Sequence, residues 1–331
     1  ATVGDVMDLQ DENRIVVKEG LRRMKNTKNY GLRALIRVNH LEEAELTGYH
    51  IGFVLGPCIN ASGRLSTAKK ALNLLLCKDE KKAQELAEEL KALNDSRKEM
   101  TQKGVEQAEK LVETTELKED RVLVIYLPDC HESLAGIIAG RIRETYNKPV
   151  IVLTKGKDGV KGSGRSIETY HMFKELVKCK DLLSKFGGHP MAAGLSLPEE
   201  NIEAFRRALN KKCTLTQEDM MEKVLIDVPM PISYVTLPLI RQLSLLEPFG
   251  KGNNKPVFAE KNIKITQCRI FGKNKNVVKM KLYDKNGICM DGVWFGDGEA
   301  FVNEIQEKER WSIAYYPSIN TYNGRESIEI I

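Results

Sequence analysis

Two patterns of apolar and polar positions divide the chain. Along the first 115 residues the apolar positions recur at helical spacing. The segment ENRIVVKEGLRRMKN carries Ile15, Val16, Leu21 and Met24, which predicts a helix, and GLRALIRVNH puts Leu32, Leu35 and Ile36 on one face of another. Before them, ATVGDVMDL reads as the end of a buried strand entering a loop, so an amino-terminal portion holding its partners is expected upstream. Gly56-Pro57 reads as a chain break and Asn60 to Gly63 as a loop, with Ser66 or Thr67 capping the next helix. From about Lys78 to Glu113 a highly charged helix is predicted, with a narrow stripe of Leu86, Leu90, Leu93, Met100, Val105 and Leu111.

The second pattern is strand-like. RVLVIYL (121–127) and PVIVL (149–153) are continuous apolar runs flanking the helical SLAGIIAGRIRETYN, a β-α-β arrangement whose strands should be parallel and buried on both faces. GVKGSGRSI reads as a further strand with a glycine-rich edge, followed by a helix (FKELVKCKDLL), a strand (AAGLSL) and a helix (EENIEAFRRALNKK). After residue 222, short alternating runs with turn signals at Lys285-Asn286-Gly287 and Asn323-Gly324 predict a small β-barrel. Five strands with one interposed helix, GEAFVNEIQ, give an OB-like order. The expected class is α/β plus all-β, over residues 1–77, a connecting helix at 78–115, an α/β domain with a mainly parallel sheet at 116–221, and the barrel at 222–331.

Composition narrows the function classes. The 331 residues hold 51 basic and 46 acidic side chains, a net charge of +5 that permits an anionic partner without requiring one. No apolar run reaches membrane-spanning length, and seven scattered cysteines without a CxxC pair argue against a disulfide framework or zinc site and for a reducing cytoplasm.

The densest chemical signal is FGGHPMAAGLSL (186–197). Gly187 and Gly188 let a phosphate oxygen approach the backbone, and His189 can bond the same anion. A glycine turn beside a packed histidine explains the same letters. Ser163, Arg165 and Ser166 place hydroxyls and a cation on a glycine-flanked segment, and Asn60 and Arg64 offer an amide and a guanidinium that can fork a phosphate. A surface hairpin and a capping network are the plain alternatives. His131 follows a strand at the end where α/β sheets place ligands. In residues 261–285, eight cations face one acid, among them Lys264, Arg269, Lys273, Lys275, Lys279 and Lys281, with Phe271, Tyr283, Trp294 and Phe295 nearby. A solvated lysine-rich edge strand would look the same.

Taken together these segments resemble the RecJ family of the DHH/DHHA1 phosphoesterase superfamily, single-stranded-DNA-specific 5′ exonucleases. TVGDVMDL with ENR resembles the last metal-binding motif of the DHH domain, and GPCINASGRL the NAxGR motif. HESLAGIIAGRI resembles the HxGVIGIVASRL motif, GSGRSI and FGGHPMAAGLSL the DHHA1 substrate motifs, and EPFGKGNNKPVF the connector into the RecJ OB fold. The resemblance runs along nearly the whole chain in register. The family's DxDG-type and DHH motifs, which supply most ligands of its Mn²⁺ or Mg²⁺ ions, are not among these residues. Ser133-Leu134-Ala135 stands where the family has Gly-Val-Ile, Gly4 replaces an alanine and Asn254 a proline.

The resemblance implies 5′-to-3′ hydrolysis of single-stranded DNA in repair and recombination. It assigns Asp5 to the metals, His131 to the catalytic site, Ser163, Arg165, Ser166, Gly187, Gly188 and His189 to the 5′ end, and Asn60 and Arg64 to the substrate. It also implies a cytoplasmic protein with single-strand-binding protein and a helicase as partners, and no membrane. One carboxylate cannot hold a metal pair, so these residues alone are expected to bind no metal and to be inactive. A non-catalytic DNA-end or partner-binding module is the other reading. A small-phosphate hydrolase fits less well, since a small substrate needs no lysine track.

Overall fold

The computed structural model describes residues 2–157 and 159–331. Five helices come first: α1 (Asp11–Met24), α2 (Tyr30–Val38), α3 (Gly56–Leu65), α4 (Lys69–Leu76) and α5 (Glu80–Thr114). Next come β1 (Leu123–Tyr126), α6 (Ala135–Tyr146), β2 (Val150–Gly156), β3 (Gly159–Arg165), α7 (Met172–Val177), β4 (Lys185–Gly188), β5 (Ala192–Leu197) and α8 (Ile202–Lys212). The last part holds β6 (Val228–Pro229), α9 (Leu237–Leu243), β7 (Phe258–Phe271), β8 (Val277–Tyr283), β9 (Cys289–Phe295), α10 (Gly298–Ile305), β10 (Trp311–Tyr315), β11 (Pro317–Tyr322) and β12 (Arg325–Ile330). Contacts sort the chain into two compact units. One combines residues Lys25–Glu45 and Gly52–Glu222, the other Leu46–Ile51 and Lys223–Ile331 with the segment ending at Met24.

In the α/β unit a five-stranded sheet runs β1-β2-β3-β5-β4. Apolar alternation sends Leu123, Ile125, Val150 and Val152 to a core shared with Ile138 and Ile142 of α6 and Ala108 and Val112 of α5. Val122, Val124, Ile151 and Leu153 point the other way, toward Met172 of α7 and Phe205 and Leu209 of α8. Only β1 and β2 are parallel, linked through α6 as the sequence predicts. The sheet as a whole is mixed rather than mainly parallel, since β2–β3, β3–β5 and β4–β5 are antiparallel. The reason is connection length: two residues between β2 and β3, and three between β4 and β5, are too few for a crossover. β3 is also an interior strand rather than a glycine-rich edge. Its Gly162 and Gly164 make room for Leu153, Leu195 and Met172.

The long helix α5 packs through a different stripe from the expected one. Ala83, Ala87, Leu90, Asn94, Thr101, Gly104, Ala108 and Val112 are its buried positions. Small residues let neighbouring helices come close: a Cβ on Gly104 would lie 2.5 Å from Ile138 Cδ1. The leucines Leu86, Leu93 and Leu111 flank this seam half-buried, and Met100 is exposed. Asn60 to Gly63 is helical, not a loop, because Pro57 sits in the first turn of α3, where its missing N–H costs nothing.

In the second unit residues 2–6 form turns rather than a strand, with Val6 N–H bonded to the Val3 carbonyl. Leu9 N–H donates to the Lys251 carbonyl at 2.7 Å, which docks this segment without a sheet. On α1, Val17 is buried while Ile15 and Val16 are exposed, the reverse of the expected stripe. The β region forms seven strands, not five. Six run β10-β7-β8-β9-β12-β11, and β6 pairs with β7. The run WSIAYYPSINTY divides because β10 pairs with β7 and β11 with β12. β9 and β12 are parallel, and α10 falls between β9 and β10, which preserves the OB-like order. The core holds Ile263, Val278, Met280, Leu282, Tyr315 and Ile330. Asn323 and Gly324 both take positive φ (50° and 74°) in the tight β11–β12 turn, as expected of Asn-Gly.

Candidate nucleic-acid interface

In the α/β unit, the chemistry gathers where β3 meets the start of α6. Residues Ser163 and Arg165 of β3 point to the same face, two positions apart. There they meet Gly136, in the first turn of α6. A Cβ on Gly136 would lie 2.7 Å from Arg165 Nη2 and 2.8 Å from Ser163 Oγ. Arg165 Nη1 donates to the Gly164 carbonyl at 2.8 Å and to Ser163 Oγ at 3.3 Å. Ser163 pairs with Gly194 of β5, and Gly194 with Gly187 of β4. A Cβ on either glycine would touch nothing within 4 Å. The sheet therefore carries an open, side-chain-free shelf beside Ser163. Gly188 is required for a different reason: a Cβ there would lie 2.4 Å from the Ala192 carbonyl oxygen. His189 follows on the turn, its N–H bonded to the Ala192 carbonyl at 2.8 Å and its exposed ring without a hydrogen-bond partner among the described residues.

Arg64 reaches the same neighbourhood from the last turn of α3. Its Nη1 donates to the Ser133 carbonyl at 2.7 Å, in the short turn before α6. Burial first, and then the Arg64 charge, lower the proton affinity of Arg165 below the ordinary guanidinium value. The same two causes, in the same order, act on Arg97 of α5, with Arg141 of α6 adding to them. The Arg64 charge thus acts on both Arg165 and Arg97, the Arg141 charge acts on Arg97, and none of the four guanidiniums has a carboxylate partner among the described residues. Arg97 and Arg165 are half-buried and Arg64 and Arg141 exposed, and like charges without a counter-charge favour a nearby anion.

Other predicted residues stand apart or serve the frame. Asn60 is exposed one helical turn before Arg64 and on the same face. His131 caps the 132–134 turn, its Nδ1 bonded to Ser133 Oγ at 2.8 Å and accepting from the Ser133 N–H at 3.3 Å. Ser166, the residue after β3, is buried and its hydroxyl donates to the Tyr170 carbonyl, so it does not join Ser163 and Arg165. Asp5 is exposed in a turn. Among the described residues no three His, Cys, Asp or Glu side chains gather as a metal centre, so the residues present do not fit a metal pair. Sequence reasoning passed over Gly136, Arg97 and Arg141. Gly136 and Arg141 lie inside the HESLAGIIAGRI motif. Nothing distinguishes Arg97 from the other cations of its charged helix.

The β unit has its own surface. Val278, Met280 and Leu282 of β8 face the core, so Lys279, Lys281 and Tyr283 face out. Cross-strand register extends this face. Phe271, Val277 and Phe295 form one row, Arg269, Lys279 and Val293 the next, then Thr266, Lys281 and Asp291, then Lys264, Tyr283 and Cys289. Two exposed rings, Phe271 (46% exposed) and Phe295 (60%), thus share a face with the cations. Trp294 points inward instead and stacks on Phe301 at 4.4 Å. Ion pairs engage Lys275 with Glu299, Lys279 with Glu329 and Lys281 with Asp291. Lys264, Arg269 and Lys273 have no carboxylate partner among the described residues.

Comparison with known proteins matches the domains that carry these two surfaces. Residues 119–215 match the DHHA1 domain and residues 226–331 the RecJ OB domain. The chain is 34% identical over its whole length to the single-stranded-DNA-specific exonuclease RecJ of Bacillus subtilis, of which it covers 42%. It is 34% identical to RecJ of Escherichia coli, covering 59% of that protein. Among solved structures, RecJ from Thermus thermophilus in complex with Mg²⁺ superposes with a TM-score of 0.84 at 29% identity, over 99% of this chain and 50% of that one. The chain spans about half the length of the relatives it matches. A DHHA1 domain followed by a RecJ OB domain, with 34% identity to the Bacillus subtilis RecJ along the whole chain, places this chain in the RecJ family.

Proposed function

We propose that the chain is the end-gripping and strand-binding part of a RecJ-type, single-stranded-DNA-specific 5′-to-3′ exonuclease. The observation that carries this reading is Arg165, packed with Ser163 against Gly136 and felt by the Arg64 charge. Arg165, Arg64, Arg97 and Arg141 lack carboxylate partners, and Ser163 and the Gly187–Gly194 shelf beside them leave space for an oxyanion. A dianionic 5′-phosphate suits that environment better than an internal phosphodiester with its single charge. The OB face supplies cations for the backbone and exposed Phe271 and Phe295 for base stacking. Hydrolysis in the whole enzyme is assigned to Mn²⁺ or Mg²⁺, which activates water. This chain's residues bind and orient the strand, with His131 holding the turn that receives Arg64. Single-strand-binding protein and a helicase remain the partners proposed for the whole enzyme, in the cytoplasm.

The deciding experiment compares binding of a 5′-phosphorylated and a 5′-hydroxyl oligonucleotide by fluorescence anisotropy, with the native chain and with Arg165→Ala. Tighter binding of the phosphorylated strand, lost in Arg165→Ala, supports the end grip. Equal affinity for both ends in the native chain refutes it. A second reading is a binding module without catalysis. Digestion of labelled strand by the purified chain with Mn²⁺ would exclude it.

A further inference from the structure

The face of the five-stranded sheet that carries Ser163 and Arg165 extends beyond them. Cross-strand register sorts it into rows. Ser163, Gly194 and Gly187 form the middle row, and Arg165 and Ala192 lie on the row toward the β4–β5 turn. On the other side of the glycines, Lys161 of β3, Ser196 of β5 and Lys185 of β4 stand in register. Residues two apart on a strand share a face, so these three side chains project on the side of Ser163 and Arg165. Burial agrees: Ala193, Leu195 and Leu197 are buried on the opposite face and Phe186 packs on that core, whereas Lys161 and Lys185 are exposed. The Lys185 ammonium and the Ser196 hydroxyl have no hydrogen-bond partner among the described residues. Lys161 Nζ is bonded to Glu132 Oε2 at 2.6 Å, in the short turn before α6, with both side chains about half exposed. That hydrogen bond, ahead of every other cause, holds the Glu132 carboxyl below its ordinary range, so the pair is charged.

The two lysines stand on either side of Ser196, about 10 Å apart at the backbone, so their ammonium groups can meet on one anion. Along the strands the row lies two residues, about 7 Å, from Ser163. One extended nucleotide spans that length from its 5′ to its 3′ phosphate, and the glycine shelf between leaves its sugar room against bare backbone. An ion pair between half-exposed side chains costs little to break, so a phosphate can take the place of Glu132 on Lys161. We propose that Lys161, Ser196 and Lys185 form a second phosphate position, so that the sheet grips the first nucleotide of the strand by both of its phosphates, with Glu132 as the counter-ion the second one displaces. The inference rests on the end grip proposed above and adds a discrimination to it. Hydrolysis breaks the bond between phosphorus and the 3′ oxygen: water supplies the new oxygen on phosphorus, one of its protons goes to the 3′ oxygen, and the phosphate stays on the shortened strand as its new 5′ end. The released nucleotide keeps one phosphate and loses the Lys161–Lys185 grip, so this row favours strand over product.

The test is titration calorimetry of the 331-residue chain with thymidine 5′-monophosphate and thymidine 3′,5′-bisphosphate. Binding of the bisphosphate about tenfold more tightly is expected. Lys185→Gln should collapse that ratio, and Glu132→Gln, which frees Lys161, should widen it by about threefold. Lys174→Gln removes an exposed cation of α7, the helix whose Met172 and Leu176 pack on the other face of the sheet, and should leave the ratio in place. Equal affinities in the native chain, or an unchanged ratio in Lys185→Gln, overturn the second position while leaving the end grip intact. A ratio that falls as far in Lys174→Gln as in Lys185→Gln reports the general field of the protein and overturns it as well. An unchanged ratio in Glu132→Gln overturns the displaced counter-ion. Monophosphate binding that Arg165→Ala does not weaken, or no binding of either nucleotide, overturns the end grip and this position together.

Discussion

Gly136 and Arg165 touch so closely that the glycine's missing side chain is the space the guanidinium fills: a Cβ would stand 2.7 Å from Nη2. The contact joins the first turn of α6 to the end of β3 and sets where the arginine can point. Gly136→Ala should therefore displace Arg165 rather than unfold the protein, because the far end of a long side chain can swing aside. Affinity for a 5′-phosphorylated strand should fall about tenfold, while thermal stability changes by about 1 kcal/mol or less. Anisotropy and a melting curve on the same variant check both.

Gly188→Ala meets backbone instead. The new methyl would lie 2.4 Å from the Ala192 carbonyl and 2.6 Å from Ala193 Cα, so the β4–β5 hairpin must open. A loss of about 1–3 kcal/mol is expected. A urea titration measures it, and a midpoint within error of the native one would show that the hairpin relaxes freely.

On the OB face, Phe271→Ala and Phe295→Ala should each weaken single-strand binding by about 1–3 kcal/mol if the rings stack bases. Both rings are exposed, so folding stability should hardly change. Binding should also fall steeply with salt, and Arg269→Gln should flatten that dependence. Salt-independent affinity would show that the cations are ordinary solvated surface.

Tyr146 gives a pH prediction. Burial, and then its hydrogen bond to Glu113, push its hydroxyl up to about 12. The unfolded chain ionises near the ordinary value of about 10. The fold therefore favours the protonated ring, and this contribution is whole below pH 10 and lost as pH rises toward 12. Tyr146→Phe should show a smaller drop in melting temperature between those values, and parallel pH profiles would refute the assignment.

Much of this was legible in the letters. The run RVLVIYL, the helix after it and PVIVL announce a buried parallel pair, because continuous apolar strands must be covered on both faces. Asn323-Gly324 announces its turn because both positions need positive φ. The Ser163–Arg165 pair and the Gly187-Gly188 pair were readable as anion chemistry from residue type alone. Ser166 was not separable from them, since the letters do not show that β3 ends at Arg165 and that the next hydroxyl turns inward to the Tyr170 carbonyl. The stripe on α5 was misread for a related reason: large residues mark hydrophobicity, whereas close helix contact selects small ones such as Gly104 and Ala108.

Local patterns determined most of the helices and strands, the βαβ unit and the OB-like order, because backbone preferences and periodicity act over a few residues. Tertiary structure alone decided that Arg165 and Ser163 meet Gly136 and that the Arg64 guanidinium reaches the Ser133 carbonyl beside α6. It alone set the row of Phe271 and Phe295 across three strands. Those outcomes depend on register and on packing between residues far apart in the chain, where no spacing rule reaches.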